Sequence, residues 1–317
     1  MKLAFFTESR YYGKISLSNK NLRVDLAWKY LLDADNVYLY GDLDNIPSYD
    51  IGIIILPKNR VDINLRLIKS KCKKVAIMQE GPSDIWTDYT IIDQVSHLNL
   101  LNAVDFLLCH NSMDQKYYNG LTGKTTYIMP TVLVEESLKN LHIKSIDDRM
   151  NEMSVIVGGN MCSWYNGMAS VIIAKNINSS VTIPSMGRKV PGEERIEGVT
   201  HLKYMEWEDW MHSLNEFSVG VHAMATPAAG TFSLNCAYLG IPCIGNQDID
   251  TQNICHPLLS ANNRDLEQYI DMAVALKHKP EFYNICAEQA KTIYNEKFHS
   301  SIFLRKMDEI FEIEFNK

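Results

Sequence analysis

The sequence predicts an α/β protein built from two doubly wound, parallel sheets. Three observations predict it. Short apolar runs of strand length alternate with stretches of helical spacing, the pattern of consecutive β-α-β units. The alternation stops over residues 135–152, EESLKNLHIKSIDDRMNE, a polar stretch without a strand signal, and then restarts. A chain of 317 residues suits two domains of about 150 residues better than one core. The first domain is therefore expected over 1–145 and the second from 146 onward.

In the first half, strands are expected at Leu3–Thr7, Val37–Tyr40, Ile51–Leu56, Val75–Met78, Phe106–Cys109 and Tyr127–Met129. Ile51–Leu56 is apolar on both faces, as central parallel strands are. Helical spacing runs through Leu22–Leu32, Ile63–Ser70 and Ile91–Ala103. In the second half, strands are expected at Ser154–Val157, Val181–Ile183, Val199–Leu202, Val219–Ala223 and Ile241–Ile244. Helices are expected at Ala169–Ile173, Glu208–Leu214, Phe232–Leu239, Asp265–Leu276, Pro280–Tyr294 and Phe298–Phe311. In open α/β sheets ligands bind beyond the carboxyl ends of the strands. If the two sheets face a central cleft, the loops after these strands line it.

The composition is that of a soluble globular protein, 46% apolar and 22% charged. The longest apolar run, Ile51–Leu56 with Gly52 counted, is too short to span a bilayer, so no membrane insertion is expected. The amino terminus leads straight into a strand, without a secretory pattern. Seven scattered cysteines, none in a CxxC pair, read as buried free thiols in a reducing compartment, so a cytoplasmic location is expected. The net charge of −7 argues against a strongly nucleic-acid-binding protein.

The most informative stretch is Val219–Asp250, VGVHAMATPAAGTFSLNCAYLGIPCIGNQDID. It reads as strand, small-residue turn, helix, strand and acidic loop. A helix that opens on small residues offers backbone N–H groups and the positive end of its dipole to a phosphate. An ordinary β-α-β unit reads the same way, so the turn alone does not decide between them.

With VIVGGN, the Trp207-x-x-Trp210 helix after a short strand, and a terminal helix after Tyr294-Asn295-Glu296-Lys297-Phe298, this stretch resembles the donor domain of GT-B glycosyltransferases. The resemblance covers most of the chain. It implies two Rossmann-like domains, the acceptor bound by 1–145 and a nucleotide-sugar, expected to be a UDP-sugar, by 146–297. It also implies that helix 298–317 packs back on the first domain. Carried over by position, Gly158, Gly159 and Asn160 let the backbone approach a diphosphate. Arg188 and Lys189 neutralise it, or are a solvated basic pair. Tyr204, Met205 and Glu206 hold the base, with Trp207 there or in the core. Gly230, Thr231 and Phe232 present helix N–H groups, Asn235 meets the ribose, and Asp248 bonds a sugar hydroxyl. Pro227 and Asn235 stand where the large retaining group carries an acidic pair, a departure from its pattern.

On the acceptor side, Glu80 is expected as the catalytic base, because it follows an apolar strand and general-base help suits transfer to a hydroxyl. A helix-start carboxylate is its structural alternative. Asp84, Asp88 and His110 are further candidates, the histidine equally readable as structural. Arg10, Tyr11, Tyr12, Lys58 and Arg60 follow strands and are expected to hold the acceptor. A basic and aromatic lip suits a flipped, hydroxymethylated pyrimidine of DNA, as in phage base-modifying glycosyltransferases, and a saccharide is the other candidate. Asp42-x-Asp44 and Asp248-x-Asp250 match a short metal-binding pattern, but no metal is expected. A nucleotide-sugar epimerase or hydrolase of the same fold, or a non-catalytic nucleotide-sugar-binding protein, remain as alternatives. Gly230→Trp is expected to abolish donor binding and leave the fold intact.

Overall fold

In the computed structural model the chain divides into two units, Met1–Val134 with Ser300–Lys317, and Glu135–His299. The structure describes every residue except 57–61, 80 and 185–189, with the backbone only at 87. Lys58, Arg60, Glu80, Arg188 and Lys189 therefore lie outside the described residues.

The first unit runs β1 (Leu3–Thr7), α1 (Asp25–Leu31), β2 (Asp35–Tyr38), β3 (Tyr49–Leu56), α2 (Leu65–Lys71), β4 (Cys72–Gln79), α3 (Ile91–Ala103), β5 (Phe106–Cys109), α4 (Ser112–Thr122) and β6 (Thr126–Ile128). All six strands are parallel, in the order β2-β1-β3-β4-β5-β6. The β-branched central strand β3 is covered on both faces: Ile51, Ile53 and Ile54 are wholly buried. The sequence reading passed over α4, yet its ends carry local signals. Asn111 accepts from the Asp114 N–H at 2.8 Å and donates to its carboxylate at 2.9 Å, a reciprocal cap, and Gly123 closes the helix at φ 66°.

The second unit runs α5 (Ile146–Glu152), β7 (Val155–Val157), α6 (Gly167–Lys175), β8 (Val181–Ile183), β9 (Val199–His201), α7 (Trp207–Leu214), β10 (Val219–His222), α8 (Thr231–Leu239), β11 (Cys243–Asn246), α9 (Asp250–Cys255), β12 (Ser260–Ala261), α10 (Leu266–His278) and α11 (Pro280–Ile293). Its parallel sheet has the order β12-β11-β10-β7-β8-β9. β11 begins two residues later than the sequence reading places it. Pro242 has no N–H to give the ladder, so only its carbonyl takes part, accepting from Gly220 at 2.9 Å.

The last helix, α12 (Ser300–Asn316), belongs to the first unit. Phe303, Met307, Ile310 and Phe311 form its buried stripe, and Tyr127 Oη donates to Glu314 at 2.5 Å. Among the described residues no helix is long and apolar enough to cross a membrane.

Candidate ligand site

In the second unit the chain leaves β7 toward β8 on one side of the sheet, while β10 lies on the other. Strand order thus reverses between β7 and β10, and such a switch point opens a crevice at the carboxyl ends of the strands. Gly158 follows β7 there, and its N–H donates to the Val221 carbonyl at 2.8 Å. A Cβ on Gly158 would lie 2.6 Å from the Phe232 ring and 2.7 Å from the His222 ring, so only glycine fits. Asn160, also buried, uses Oδ1 to accept from the Cys162 N–H at 3.1 Å.

The loop from β10 to α8 is held at several points. Ala223 N–H donates to Ser170 Oγ (3.0 Å), Ala225 N–H to the Trp164 carbonyl (3.1 Å), and Asn246 Nδ2 to the Met224 carbonyl (3.0 Å). Gly230 ends the loop at φ 72° and, as N-cap of α8, has no side chain with which to cap it. Its carbonyl accepts from Thr251 Oγ1 at 2.9 Å. A Cβ there would lie 1.8 Å from that same Thr251 oxygen. The expectation that Gly230→Trp leaves the fold intact is therefore wrong: position 230 has neither the backbone angle nor the space for a side chain.

His222 was missed by the sequence reading. It ends β10 at the switch point, with Tyr165 at 5.9 Å and Phe232 at 5.5 Å between ring centroids. Its Nε2 is buried and has no hydrogen-bond partner among the described residues. Burial lowers its pKa to about 4, so the ring is neutral at pH 7. His97, His110 and His256 are lowered to about 4 for the same reason. All four then take up protons on unfolding, where the pKa returns to ~6.5. The unfolded chain binds more protons between these limits, so stability must fall as pH drops from about 6.5 toward 4. Thermal melts across that window should show a continuous decrease in Tm. A flat profile would mean these rings are hydrated in solution.

The other expected donor residues that are described lie on α8, after β11 and after β9. Thr231 and Phe232 form the first turn of α8. With its amide oriented so that both ends are paired, Asn235 donates to the Thr231 carbonyl (3.1 Å) and accepts from Trp210 Nε1 (3.3 Å). Asp248 is half-buried after β11, its N–H donating to Asn246 Oδ1 at 3.0 Å. Tyr204, Met205 and Glu206 follow the edge strand β9, two strands from β7, with Tyr204 exposed and Glu206 the N-cap of α7. Trp207 is buried in the core. Arg188 and Lys189 follow β8 in sequence.

In the first unit, buried Asn36 holds the loop after β1, accepting from Thr7 Oγ1 (2.8 Å) and donating to the Tyr11 carbonyl (2.5 Å). Arg10 lies over the Tyr38 ring at 5.9 Å, and Tyr12 is exposed. Burial, and then the Asp25 and Asp35 carboxylates, push the Tyr11 hydroxyl up to about 12. His110 is buried with its ring 5.4 Å from Trp28, and its Nδ1 has no partner among the described residues. Asp84 and Asp88 are exposed on the turn Ser83–Asp88. The Asp84 charge reaches Asp114 and Tyr117, whose pKa values rise chiefly through burial. Asp42 accepts from the Asp44 N–H and from Asn45 Nδ2, a turn-closing role. Among the described residues no three His, Cys, Asp or Glu side chains are grouped to hold a metal ion.

No protein-family model and no curated protein sequence matches the chain. Solved structures do. Sucrose-phosphate synthase from Thermosynechococcus elongatus superimposes with a TM-score of 0.69 at 11% identity, covering 100% of both chains. HepE from Anabaena, in complex with UDP, gives 0.70 at 11% identity over 98% of this chain and 100% of that one. An α-glucosyltransferase in complex with UDP and a 13-mer DNA gives 0.64 at 11% identity over 98% and 99%. The chain has the GT-B fold. In that fold the crevice between β7 and β10 belongs to the carboxyl-terminal Rossmann-like unit, and β1 and β3 lie at the equivalent reversal of the amino-terminal one.

Proposed function

We propose that this chain transfers a sugar from a nucleoside diphosphate sugar to a hydroxyl acceptor, without a metal ion. The observation that carries the reading is the Gly158–Gly159 turn at the β7/β10 switch point, set against the first turn of α8. A helix amino terminus suits a diphosphate, and glycine at 158 and 159 lets the Phe232, His222 and Tyr165 rings pack close to the turn. Neutral His222 offers it one N–H donor. Arg188 and Lys189 follow β8 and supply positive charge, Tyr204–Glu206 take the base, and Asp248 takes a sugar hydroxyl. UDP is favoured as the nucleotide because HepE and the α-glucosyltransferase were both solved with it. The first unit takes the acceptor, a saccharide or a hydroxymethylated pyrimidine of DNA, with Glu80 as base and Arg10, Tyr11, Tyr12, Lys58 and Arg60 around it.

Calorimetry with UDP, followed by assays of UDP release from UDP-glucose in EDTA-containing buffer, tests the reading. Acceptors would be oligosaccharides and DNA bearing 5-hydroxymethylcytosine. His222→Phe keeps the ring shape but removes the N–H. A hydrogen bond to a charged group contributes about 1.5–3 kcal/mol, so UDP affinity should fall about tenfold or more. Unchanged affinity in a variant with a parental melting curve would remove His222 from the site. An epimer or free sugar formed without acceptor would point to an epimerase or hydrolase, and failure of the parent to bind UDP would sink the donor reading.

A further inference from the structure

The first unit has a switch point of its own. β1 lies between β2 and β3, so the chain winds away from β1 in both directions, and a crevice is expected at the carboxyl ends of β1 and β3. A cavity of about 160 Å³ opens there, lined by Glu8 and Ser9 after β1, Ile55 of β3, and Val24, Asp25 and Trp28 at the start of α1. For comparison, a cavity of ~150 Å³ accommodates one benzene ring.

Its chemistry is unusual for a crevice in a sheet. Lys29 is wholly buried, and its ammonium donates to Asp25 at 2.5 Å, one helical turn earlier. Lys29 is not part of the lining, whereas Asp25 is, so the ion pair tethers a carboxylate at the cavity wall. Val24, the β-branched residue just before Asp25, sits at φ 50°, a conformation that only a tightly constrained local structure maintains. Glu8 provides a second, exposed carboxylate, and Ser9 a hydroxyl.

Ionised carboxylates only accept hydrogen bonds, so an occupant must donate them. Lys29 already compensates Asp25, and among the described residues no cation is paired with Glu8. A phosphate would meet repulsion, and hydroxyl groups would not. Val24, Ile55 and the buried Trp28 line the cavity with apolar side chains. We infer that this cavity is the acceptor pocket and takes one uncharged, hydroxyl-bearing ring, its hydroxyls donating to Asp25 and Glu8 and its C–H groups lying against the apolar part of the lining. Assigning the occupant as an acceptor rests on the transferase reading; the binding chemistry does not.

The test is saturation-transfer NMR on the full chain. D-glucose and 5-hydroxymethyl-2′-deoxycytidine are the probes in separate arms, and glucose 6-phosphate is the charged control. At least one uncharged probe should bind, and the responding arm tells a sugar hydroxyl from a nucleobase hydroxymethyl group. Glu8→Gln changes an exposed side chain and should weaken that binding about tenfold, the size of a lost charge-assisted bond. Asp25→Asn alone would strand the buried ammonium, so it is combined with Lys29→Met. The double variant should bind at least as weakly as Glu8→Gln while still melting cooperatively. Three results overturn the pocket: neither probe binding at its solubility limit, parental binding in Glu8→Gln, or glucose 6-phosphate binding as well as glucose. UDP calorimetry on the same samples separates the two readings. UDP binding without probe binding sinks the pocket alone, and Glu8-dependent probe binding without UDP binding keeps the pocket and sinks the donor reading.

Discussion

Glu80→Gln is expected to lower turnover about 10²–10⁴-fold at saturating substrates, the range of general-base assistance, while UDP affinity stays at the parental value. Glu80 directly follows Gln79, the last residue of β4. β4 is a central strand, paired with β3 and β5 on either side. The residue after its carboxyl end is where an open α/β sheet presents groups to a ligand. A hydroxyl acceptor has to lose a proton during transfer, and a carboxylate there can accept it. Glutamine keeps the size and reach of the side chain but not the basicity. The donor, in this reading, is held by the other unit, so the loss belongs in kcat and not in the donor Kd. Parental turnover would send the search for the base to Asp84, Asp88 or His110. His110 starts at a disadvantage because burial holds it neutral down to about pH 4, where it is a weak base. Collapse of UDP affinity would instead place Glu80 at the transferred sugar.

Every strand but β12 and most helices were legible because their residues repeat with the period of the element that buries them. Ile51–Leu56 could only be a central strand, and the stripe from Phe303 to Phe311 could only be an amphipathic helix. What escaped was decided by local capping or by contacts distant in sequence. α4 carries few apolar residues at regular spacing, and its signal was the pair Asn111 and Asp114 with Gly123 after it. The glycine turn at 158–159 was readable as a place without room for a side chain. His222 was not, since a histidine ending an apolar strand reads as interior. It becomes a candidate only when its unpartnered Nε2 is seen beside Gly158 and Phe232. Asn235 shows the converse: position in the chain assigns it to a ribose, while its amide is occupied by Trp210 and Thr231. The Asp25–Lys29 pair has legible i, i+4 spacing, but nothing in the sequence says that its lysine is wholly buried or that its aspartate lines a cavity.

Arg149→Met should destabilise the second unit by about 3–5 kcal/mol. Arg149 is wholly buried on α5, a helix far in sequence from the strands it supports. Its guanidinium donates to the Asn215 carbonyl (2.7 Å), the Asn215 side-chain oxygen (2.8 Å), the Leu239 carbonyl (3.4 Å) and the Phe217 carbonyl. Those acceptors lie where α7 ends, just before β10 begins, and where α8 ends. One side chain thus fastens the rear ends of the two elements whose front ends form the β7/β10 crevice. Methionine fills much of the volume but donates nothing, and each buried acceptor left unsatisfied costs about 1–3 kcal/mol. For a unit of this size, each kcal/mol lowers Tm by about 2–4 °C, so a fall of roughly 10 °C is expected. If the donor reading holds, UDP at about 100 times its Kd should restore about 2.7 kcal/mol, as a ligand of the folded state alone does. A Tm within about 2 °C of the parent would correspond to at most ~1 kcal/mol. Water would then be satisfying these carbonyls, and the shape of the crevice would have to come from the sheet alone.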